Sequence, residues 1–150
     1  MRILSRRRAV ALLIATAAAG CGSPGPADIH YDSDACDHCR MTISAPGFAA
    51  QLVTRTGRIF RFDDPGCLRE FVAGNSVSPD DTHSIWVNDH AHPEVRVRLD
   101  EAWFVVSDGI RAPMNGRMAA FASLDEARAL QATVGGQVAR WTGVLAERRA

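Results

Sequence analysis

Short apolar stretches, separated by polar residues and glycines, recur between residues 48 and 141 and predict a series of β-strands. In the first half of the chain, Phe48–Thr54 and Arg58–Phe62 are two such stretches around an Arg-Thr-Gly turn. After a polar loop, the sequence HSIWVN at residues 83–88 predicts a third strand.

A helix is predicted between the second and third of these strands. Asp64 is a favourable N-cap residue, and Pro65 suits the first helical position. Leu68 and Phe71 give the helix an apolar face, and Gly74 ends it.

The second half of the chain repeats this order of elements. Residues 102–107 and 117–121 predict strands, and residues 137–141 predict a third strand after a Gly-Gly break. Between them, Ser123 followed three residues later by Glu126 is the pattern of a helix capping box. Each half is therefore predicted to be strand–strand–helix–strand.

The two halves also align in sequence. Residues 57–71 match residues 116–130 without a gap, and glycine, arginine and phenylalanine recur at equivalent positions. The predicted fold class is α+β, with two related units at residues 36–90 and 100–144. A unit of about 50 residues has a marginal core by itself, so the apolar faces of the two units are expected to pack together.

The halves differ in the connection between their first two strands. In the second unit this loop is longer, spans residues 108–116 and carries Met114. The residues that join the two units, from about residue 90 onward, are expected to form a solvated connector.

The N-terminus has the features of an export signal. Four arginines precede an apolar run at residues 9–19, which is too short to be a membrane span. Residues 18–21, Ala-Ala-Gly-Cys, resemble a bacterial lipobox, which predicts a signal peptide over residues 1–20 and acylation of Cys21. Ordinary signal cleavage nearby is the alternative. Residues 21–35 are rich in Gly, Pro, Ser and Asp and are predicted to be a flexible tether.

Removal of residues 1–20 would leave 13 arginines, no lysine and 17 acidic residues, a net charge of 13 − 17 = −4. The arginines are scattered along the chain and form no basic stripe. This pattern disfavours binding to nucleic acid and to anionic lipid headgroups. A lipidated protein would therefore be held at the membrane by its acyl chains and be otherwise soluble.

Three cysteines remain after Cys21: Cys36, Cys39 and Cys67. An odd number outside the cytoplasm leaves at least one thiol unpaired. One interpretation is a Cys36–Cys39 disulfide with a buried Cys67. A thioredoxin-like redox pair is disfavoured because the residues after Cys39 have poor helix signals. Structural zinc would need a second pair of ligands, which the sequence lacks.

A Cu(I) site suits the available ligands better, because Cu(I) favours thiolate and thioether donors. Met41 lies two residues after Cys39, and Met114 lies in an irregular loop. His38 is a candidate third donor, with an exposed loop histidine as the alternative. Cys36 is either a further ligand or the disulfide partner of Cys39. Cys67, in the first helical turn in line with the apolar face, is expected to be a packed core thiol.

Four short motifs together resemble the NosL family, the copper-binding lipoproteins associated with nitrous oxide reductase. They lie at residues 39–43, 62–68, 86–89 and 113–116, in the order and spacing of that family. The resemblance implies a Cu(I) carrier with two strand–strand–helix–strand units. It also implies delivery of copper to the reductase, or to another cuproenzyme, together with a membrane transporter complex.

The resemblance assigns copper ligands as well. The family's Cys-Gly-Met falls on Cys39 and Met41, and the methionine of its Pro-Met-Gly falls on Met114. This chain departs from the family twice, because Arg40 replaces the glycine and Asn115 separates Met114 from the following glycine.

The predicted protein is a copper-binding protein of the cell envelope, anchored by lipid on the extracytoplasmic side. It is not predicted to be an enzyme, because no acid–base or nucleophile constellation is visible. Two other functions stay open at this point. One is a thiol–disulfide oxidoreductase that uses Cys36 and Cys39, and the other is a purely structural lipoprotein.

Overall fold

The structure, a computed structural model, describes residues 23–147. The predicted signal peptide and Cys21 lie outside these residues. Within them, no helix is long and apolar enough to cross a membrane. Ten helices and strands follow one another in the chain after a short 3-10 turn at Pro46–Phe48: β1 (Ala50–Thr54), β2 (Ile59–Phe62), α1 (Pro65–Ala73), β3 (Thr82–Asn88), β4 (Arg96–Arg98), β5 (Trp103–Val106), β6 (Met118–Phe121), α2 (Leu124–Val134), β7 (Gln137–Ala139) and α3 (Trp141–Glu147).

Two antiparallel sheets organise the molecule, and the α+β class is confirmed. The first sheet has the strand order β2-β1-β3-β4 and the second has the order β6-β5-β7. In each sheet the first strand of the unit lies between the second and the third. The repeat in sequence thus corresponds to a repeat in strand arrangement.

Both main helices begin where the capping residues predict. The Asp64 side chain accepts a hydrogen bond from the backbone N–H of Cys67 at the start of α1. The Ser123 hydroxyl accepts one from the backbone N–H of Glu126 at the start of α2. An N-cap side chain supplies the partner that the first N–H groups of a helix lack.

The connector between the units is more ordered than the sequence indicates. Its Arg-Val-Arg segment forms β4 as an edge strand of the first sheet, with Val97 opposite Val87. Val97 is buried while the flanking arginines are partly exposed, which is the alternation of a half-buried strand.

The end of the second unit also differs from the prediction. The last strand stops at Ala139, and residues from Trp141 onward form α3 instead of extending the strand. The Trp141 ring is buried against Phe104, with 5.3 Å between the ring centroids. Burial of this large aromatic surface accounts for the turn away from the sheet.

The main hydrophobic core is shared by both units. Leu68 and Phe71 of α1 lie in the same buried cluster as Phe104 of β5 and Met118 of β6. A smaller cluster under α2 contains Phe121 and Ala127. The apolar faces of the units therefore do meet, and Met118 is a core residue.

The segment predicted as a flexible tether, residues 21–35, is part of the folded domain from Ala27 onward. The backbone of Ala27 makes two hydrogen bonds with the side chain of Gln51 on β1. Ile29 is buried in the core, and the Tyr31 hydroxyl accepts a hydrogen bond from Asn88. These hydrogen bonds and the burial of Ile29 together attach this stretch to the first sheet.

Candidate metal centre

The cysteine motif forms a tight hairpin that precedes the first sheet. Ala35 and Thr42 pair as an isolated antiparallel bridge, and the Cys36 N–H donates to the Met41 carbonyl oxygen at 2.8 Å. The Arg40 N–H closes the turn on the Cys36 carbonyl oxygen at 3.0 Å. Arg40 has a φ of 67°, in the left-handed region that favours glycine.

The hairpin is fixed to the edge of the first sheet through Asp37. The Asp37 N–H donates to the Arg61 carbonyl oxygen at 2.8 Å, and the Arg61 N–H donates to Asp37 Oδ2 at 2.8 Å. β2 is an edge strand, so its outward backbone groups are available for this pairing. The first two thiols are thereby held in a defined position.

Three thiols converge at this place. The Sγ atoms of Cys36, Cys39 and Cys67 all lie within 4.8 Å of one another. Cys36 and Cys39 come from the hairpin, whereas Cys67 is the third residue of α1. All three are free thiols. Cys36 is 0% exposed and Cys67 is 4% exposed, while Cys39 is partly exposed.

Cys67 is buried, as its place on the apolar side of α1 indicates. Its sulfur nevertheless lies with the other two thiols and belongs to the cluster, although its sequence pattern predicts only a packed core thiol. The pattern within the helix predicts which side is buried. It carries no information on which residues lie across that buried side.

The cluster favours a thiolate at Cys36. The thiol of Cys67, which donates a hydrogen bond to the Cys36 sulfur, is the main cause that lowers the pKa of Cys36 to about 5. Backbone N–H groups of Cys39, Asp63 and His38 also donate to this sulfur and act against the effect of burial. A buried thiolate with several donors is prepared to bind a cation.

The other two thiols have raised pKa values. The pKa of Cys67 is raised mainly by the hydrogen bond that its thiol donates to Cys36, and then by burial. For Cys39, burial is the main cause. The metal-free site therefore carries one negative charge at neutral pH, and a bound metal would displace the remaining thiol protons.

A buried carboxyl group lies beside the thiols. Asp63 is 3% exposed and accepts a hydrogen bond from the backbone N–H of Ser44, while its Oδ1 atom has no hydrogen-bond partner. Burial raises the pKa of Asp63, and the negative charges of Asp64 and Cys36 act in the same direction. Because Asp63 is buried and one of its oxygens has no hydrogen-bond partner, its negatively charged form is disfavoured next to the Cys36 thiolate.

A cleft of about 190 Å³ opens onto the cluster between the two units. Its lining includes His38, Cys39 and Cys67 from the first unit and Met114 and Asn115 from the second. A larger cavity of about 580 Å³ lies elsewhere, between β3, β4 and α3, and no cysteine lines it. The chemistry of the side chains, rather than cavity size, therefore identifies the site.

The structure brings most of the predicted ligands together. Met114 is 42% exposed and lines the cleft with Cys39, and exposed His38 lies at its rim. Met41 is 58% exposed and is not part of the lining, although its backbone N–H donates to the Cys39 sulfur. The Arg40 guanidinium lies 3.9 Å from Asp37.

A second-unit loop reaches the cleft because Asp64 holds it there. Asp64 Oδ2 accepts hydrogen bonds from the N–H groups of Met114 at 3.0 Å and Gly116 at 3.2 Å. Its Oδ1 accepts the N–H of Cys67 at 2.8 Å. One carboxylate thus joins the start of α1 to the loop that carries Met114. The sequence indicated only the capping role of Asp64.

Fold and site together define a duplicated α+β domain with a three-cysteine cluster that is able to hold a metal ion. The family model for NosL matches residues 26–148 of this chain. The chain therefore belongs to the NosL family, and the resemblance found in the sequence motifs is confirmed.

A solved structure agrees with this assignment. The crystal structure of the copper chaperone NosL from Shewanella denitrificans superposes with a TM-score of 0.70. Its sequence is 22% identical, and the match covers 79% of this chain and 95% of that chain. At this level of identity the likeness establishes the shared fold. A search of curated proteins found no match.

Proposed function

We propose that this protein is a Cu(I) carrier and not an enzyme, and that its metal centre is built on Cys36, Cys39 and Cys67. The observation that carries the proposal is the convergence of the three sulfur atoms within 4.8 Å of one another. Two of these thiols come from a hairpin and the third from a helix, so only the folded chain brings them together.

The ligand chemistry favours Cu(I) over zinc. Cu(I) is a soft ion that is satisfied by thiolate and thioether donors, whereas a structural zinc site uses four thiolate or imidazole ligands. In the described residues, the three thiols are the only group of three or more Cys, His, Asp or Glu side chains placed to hold a metal. A thioether of the second unit, Met114, lines the same cleft.

The predicted ligands have different parts in this proposal. Cys36, Cys39 and Cys67 are the inner donors, and Met114 completes the site from the second unit. Met41 and His38 are exposed neighbours of Cys39 in the hairpin, and their proposed part is to receive or release the ion. The family relative with a solved structure is itself named a copper chaperone, which supports a carrier rather than a storage role.

The family and the N-terminal signal support a proposal for the recipient and the location. We propose that acylation of Cys21 anchors the protein at the extracytoplasmic side of the membrane, in the cell envelope. From there it delivers copper to nitrous oxide reductase, or to another extracytoplasmic cuproenzyme, together with a membrane transporter complex.

A Cu(I) titration of the reduced protein tests this proposal. In competition with a chromophoric Cu(I) chelator, the wild type is expected to take up one Cu(I). Cys36→Ser, Cys39→Ser and Cys67→Ser should each weaken binding by tenfold or more, about 1.4 kcal/mol or greater, because each removes a soft donor. The sequence by itself favoured a far smaller effect for Cys67 than for Cys39.

The same samples distinguish the alternative functions. Exchange of disulfides with a model substrate, without uptake of Cu(I), would instead make the protein a thiol–disulfide oxidoreductase. If the protein neither binds Cu(I) nor exchanges disulfides, a structural lipoprotein is the remaining alternative. The hairpin geometry already disfavours the redox enzyme, since Cys36 and Cys39 do not begin a helix.

A further inference from the structure

Asp64 is a fully buried carboxylate with two separate tasks. It is 0% exposed, and its two oxygen atoms have different partners. Oδ1 accepts the N–H of Cys67, and Oδ2 accepts the N–H groups of Met114 and Gly116. The first contact lies within the first unit, and the other two cross to the second unit.

Comparison of the two halves shows that helix capping needs only one of these oxygens. The gapless alignment of residues 57–71 with 116–130 places Asp64 opposite Ser123. Ser123 caps α2 with its single hydroxyl, through the N–H of Glu126. The second oxygen of Asp64 therefore serves a purpose that its counterpart does not have.

The tip of the Met114 loop depends on this second oxygen. Pro113, Met114 and Asn115 are exposed, and the loop is held to its own unit further back, where Ile110 and Ala112 are buried. Between Ala112 and β6, the hydrogen bonds to Asp64 join the loop to the first unit. An ionised carboxylate only accepts hydrogen bonds and forms stronger ones than a neutral group.

We infer that Asp64 is the positioning residue of the metal centre, which holds the Met114 thioether against the three thiols across the boundary between the units. This inference rests on the proposed Cu(I) site and adds to it. Asp64 itself does not bind the ion. It couples the helix turn that carries Cys67 to the loop that carries Met114, so that both donors reach the cleft in one arrangement.

Two variants separate this role from helix capping. Asp64→Ser copies the residue that caps α2, and Asp64→Asn keeps the size of the side chain; serine and asparagine are both good N-caps. Each is expected to keep the contact with Cys67 and to lose the contacts with the loop. A matched control is Asp89→Asn. Asp89 is also buried and also crosses to the second unit, where it accepts the N–H of Ala122 at the far end of β6.

The decisive measurement is a double-mutant cycle in Cu(I) affinity. We expect Asp64→Ser to weaken binding about tenfold, and Met114→Ile in that background to weaken it no further, because the thioether is already displaced. Asp89→Asn should leave the affinity unchanged. Hydrogen exchange of the metal-free protein should show faster exchange at the Met114 and Gly116 amides in Asp64→Ser, with the Cys67 amide still protected.

The possible outcomes are distinct. A folded Asp64→Ser protein that binds Cu(I) as tightly as wild type overturns the inference alone. So do losses from Asp64→Ser and Met114→Ile that add, because Asp64 would then act independently of the thioether. If Asp64→Ser does not fold, Asp64→Asn is measured in the same cycle. A wild type that does not bind Cu(I) overturns the proposed function and this inference with it.

Discussion

Gly66 and Gly116 meet backbone to backbone at the boundary between the two units. A Cβ atom on Gly66 would lie 2.7 Å from the Gly116 Cα, and one on Gly116 would lie 2.8 Å from Asp64 Oδ2. These distances are shorter than carbon–carbon and carbon–oxygen contacts in packed proteins. The absence of side chains at both positions is what allows the Met114 loop to approach the start of α1.

Gly116→Ala is therefore expected to destabilise the protein by about 1–3 kcal/mol, the usual cost of forcing an extra carbon into a packed site. Urea denaturation followed by circular dichroism measures the change in the free energy of unfolding. Gly25→Ala is the control, because a Cβ atom there has nothing within 4 Å. Equal stability of the two variants would mean that the close approach does not constrain the loop.

The two methionines of the second unit should respond differently to loss of sulfur. Met114 is largely outside the core, whereas Met118 is fully buried in β6. Met114→Ile should lower Cu(I) affinity tenfold or more, roughly 1.4 kcal/mol, and change stability little. Met118→Ile should leave the affinity unchanged and cost less than about 1.5 kcal/mol of stability, as for other volume-conserving core swaps. The reverse pattern of affinities would contradict the assignment of the loop to the site.

The reduced, metal-free protein should contain one thiolate at neutral pH. Far-ultraviolet thiolate absorbance is expected to rise with a midpoint near the pKa of Cys36, about 5. Cys36→Ser should abolish this transition. Cys67→Ala should move it upward, because it removes the hydrogen-bond donor that is the main cause of the lowered pKa. A first transition near the ordinary thiol pKa of 9.0 in the wild type would contradict this description.

The lowered pKa of Cys36 also determines how the stability of the folded protein depends on pH. The pKa of Cys36 is lower in the folded than in the unfolded chain, so the thiolate stabilises the folded state. This contribution is fully present above the ordinary value of 9.0 and is lost as the pH falls through about 5. Comparison of the pH dependence of stability in wild type and Cys36→Ser between these two pH values measures this contribution.

The lipid anchor is tested by Cys21→Ser. Removal of the thiol prevents attachment of acyl chains, and a protein without them should remain unprocessed or leave the membrane fraction. Mass spectrometry of the membrane and soluble fractions measures processing and acylation. Ser23→Ala, two residues away, should behave as wild type. A Cys21→Ser protein that is still processed and acylated would refute the lipobox interpretation.

Local signals in the sequence were sufficient to predict the helix starts. The elements that were not predicted, β4 and α3, depend on contacts with residues distant in the chain. Asp64-Pro65 and Ser123 mark the beginnings of α1 and α2 because capping depends on residues next to one another in the chain. β4 has only three residues, two of them arginine, so its place in a sheet depends on Val87 across the pair. α3 depends likewise on a partner for Trp141 that is distant in sequence.

The same distinction applies to the metal centre. Cys36, Cys39 and Met41 form a recognisable motif because they are close in sequence, and Met114 was predicted as a ligand from its irregular loop and the family resemblance. Cys67 was assigned only to the core, since helical periodicity predicts burial but not the identity of the neighbours. The link from Asp64 to Met114 spans 50 residues and has no local signature.

The three thiols lie at unequal depths, and the cleft is lined by Cys39 and Cys67 but not by Cys36. Cys36 is fully buried, Cys67 is 4% exposed, and Cys39 is the most exposed of the three. An ion held there would exchange by an associative route, in which an acceptor's donor atom attacks from the side of Cys39 while the two deeper sulfurs still hold on. Dissociation into water would require all the bonds to break without replacement. If the proposed Cu(I) site exists, its ion would thus be retained in water and transferred on contact with an acceptor whose donor atom reaches Cys39.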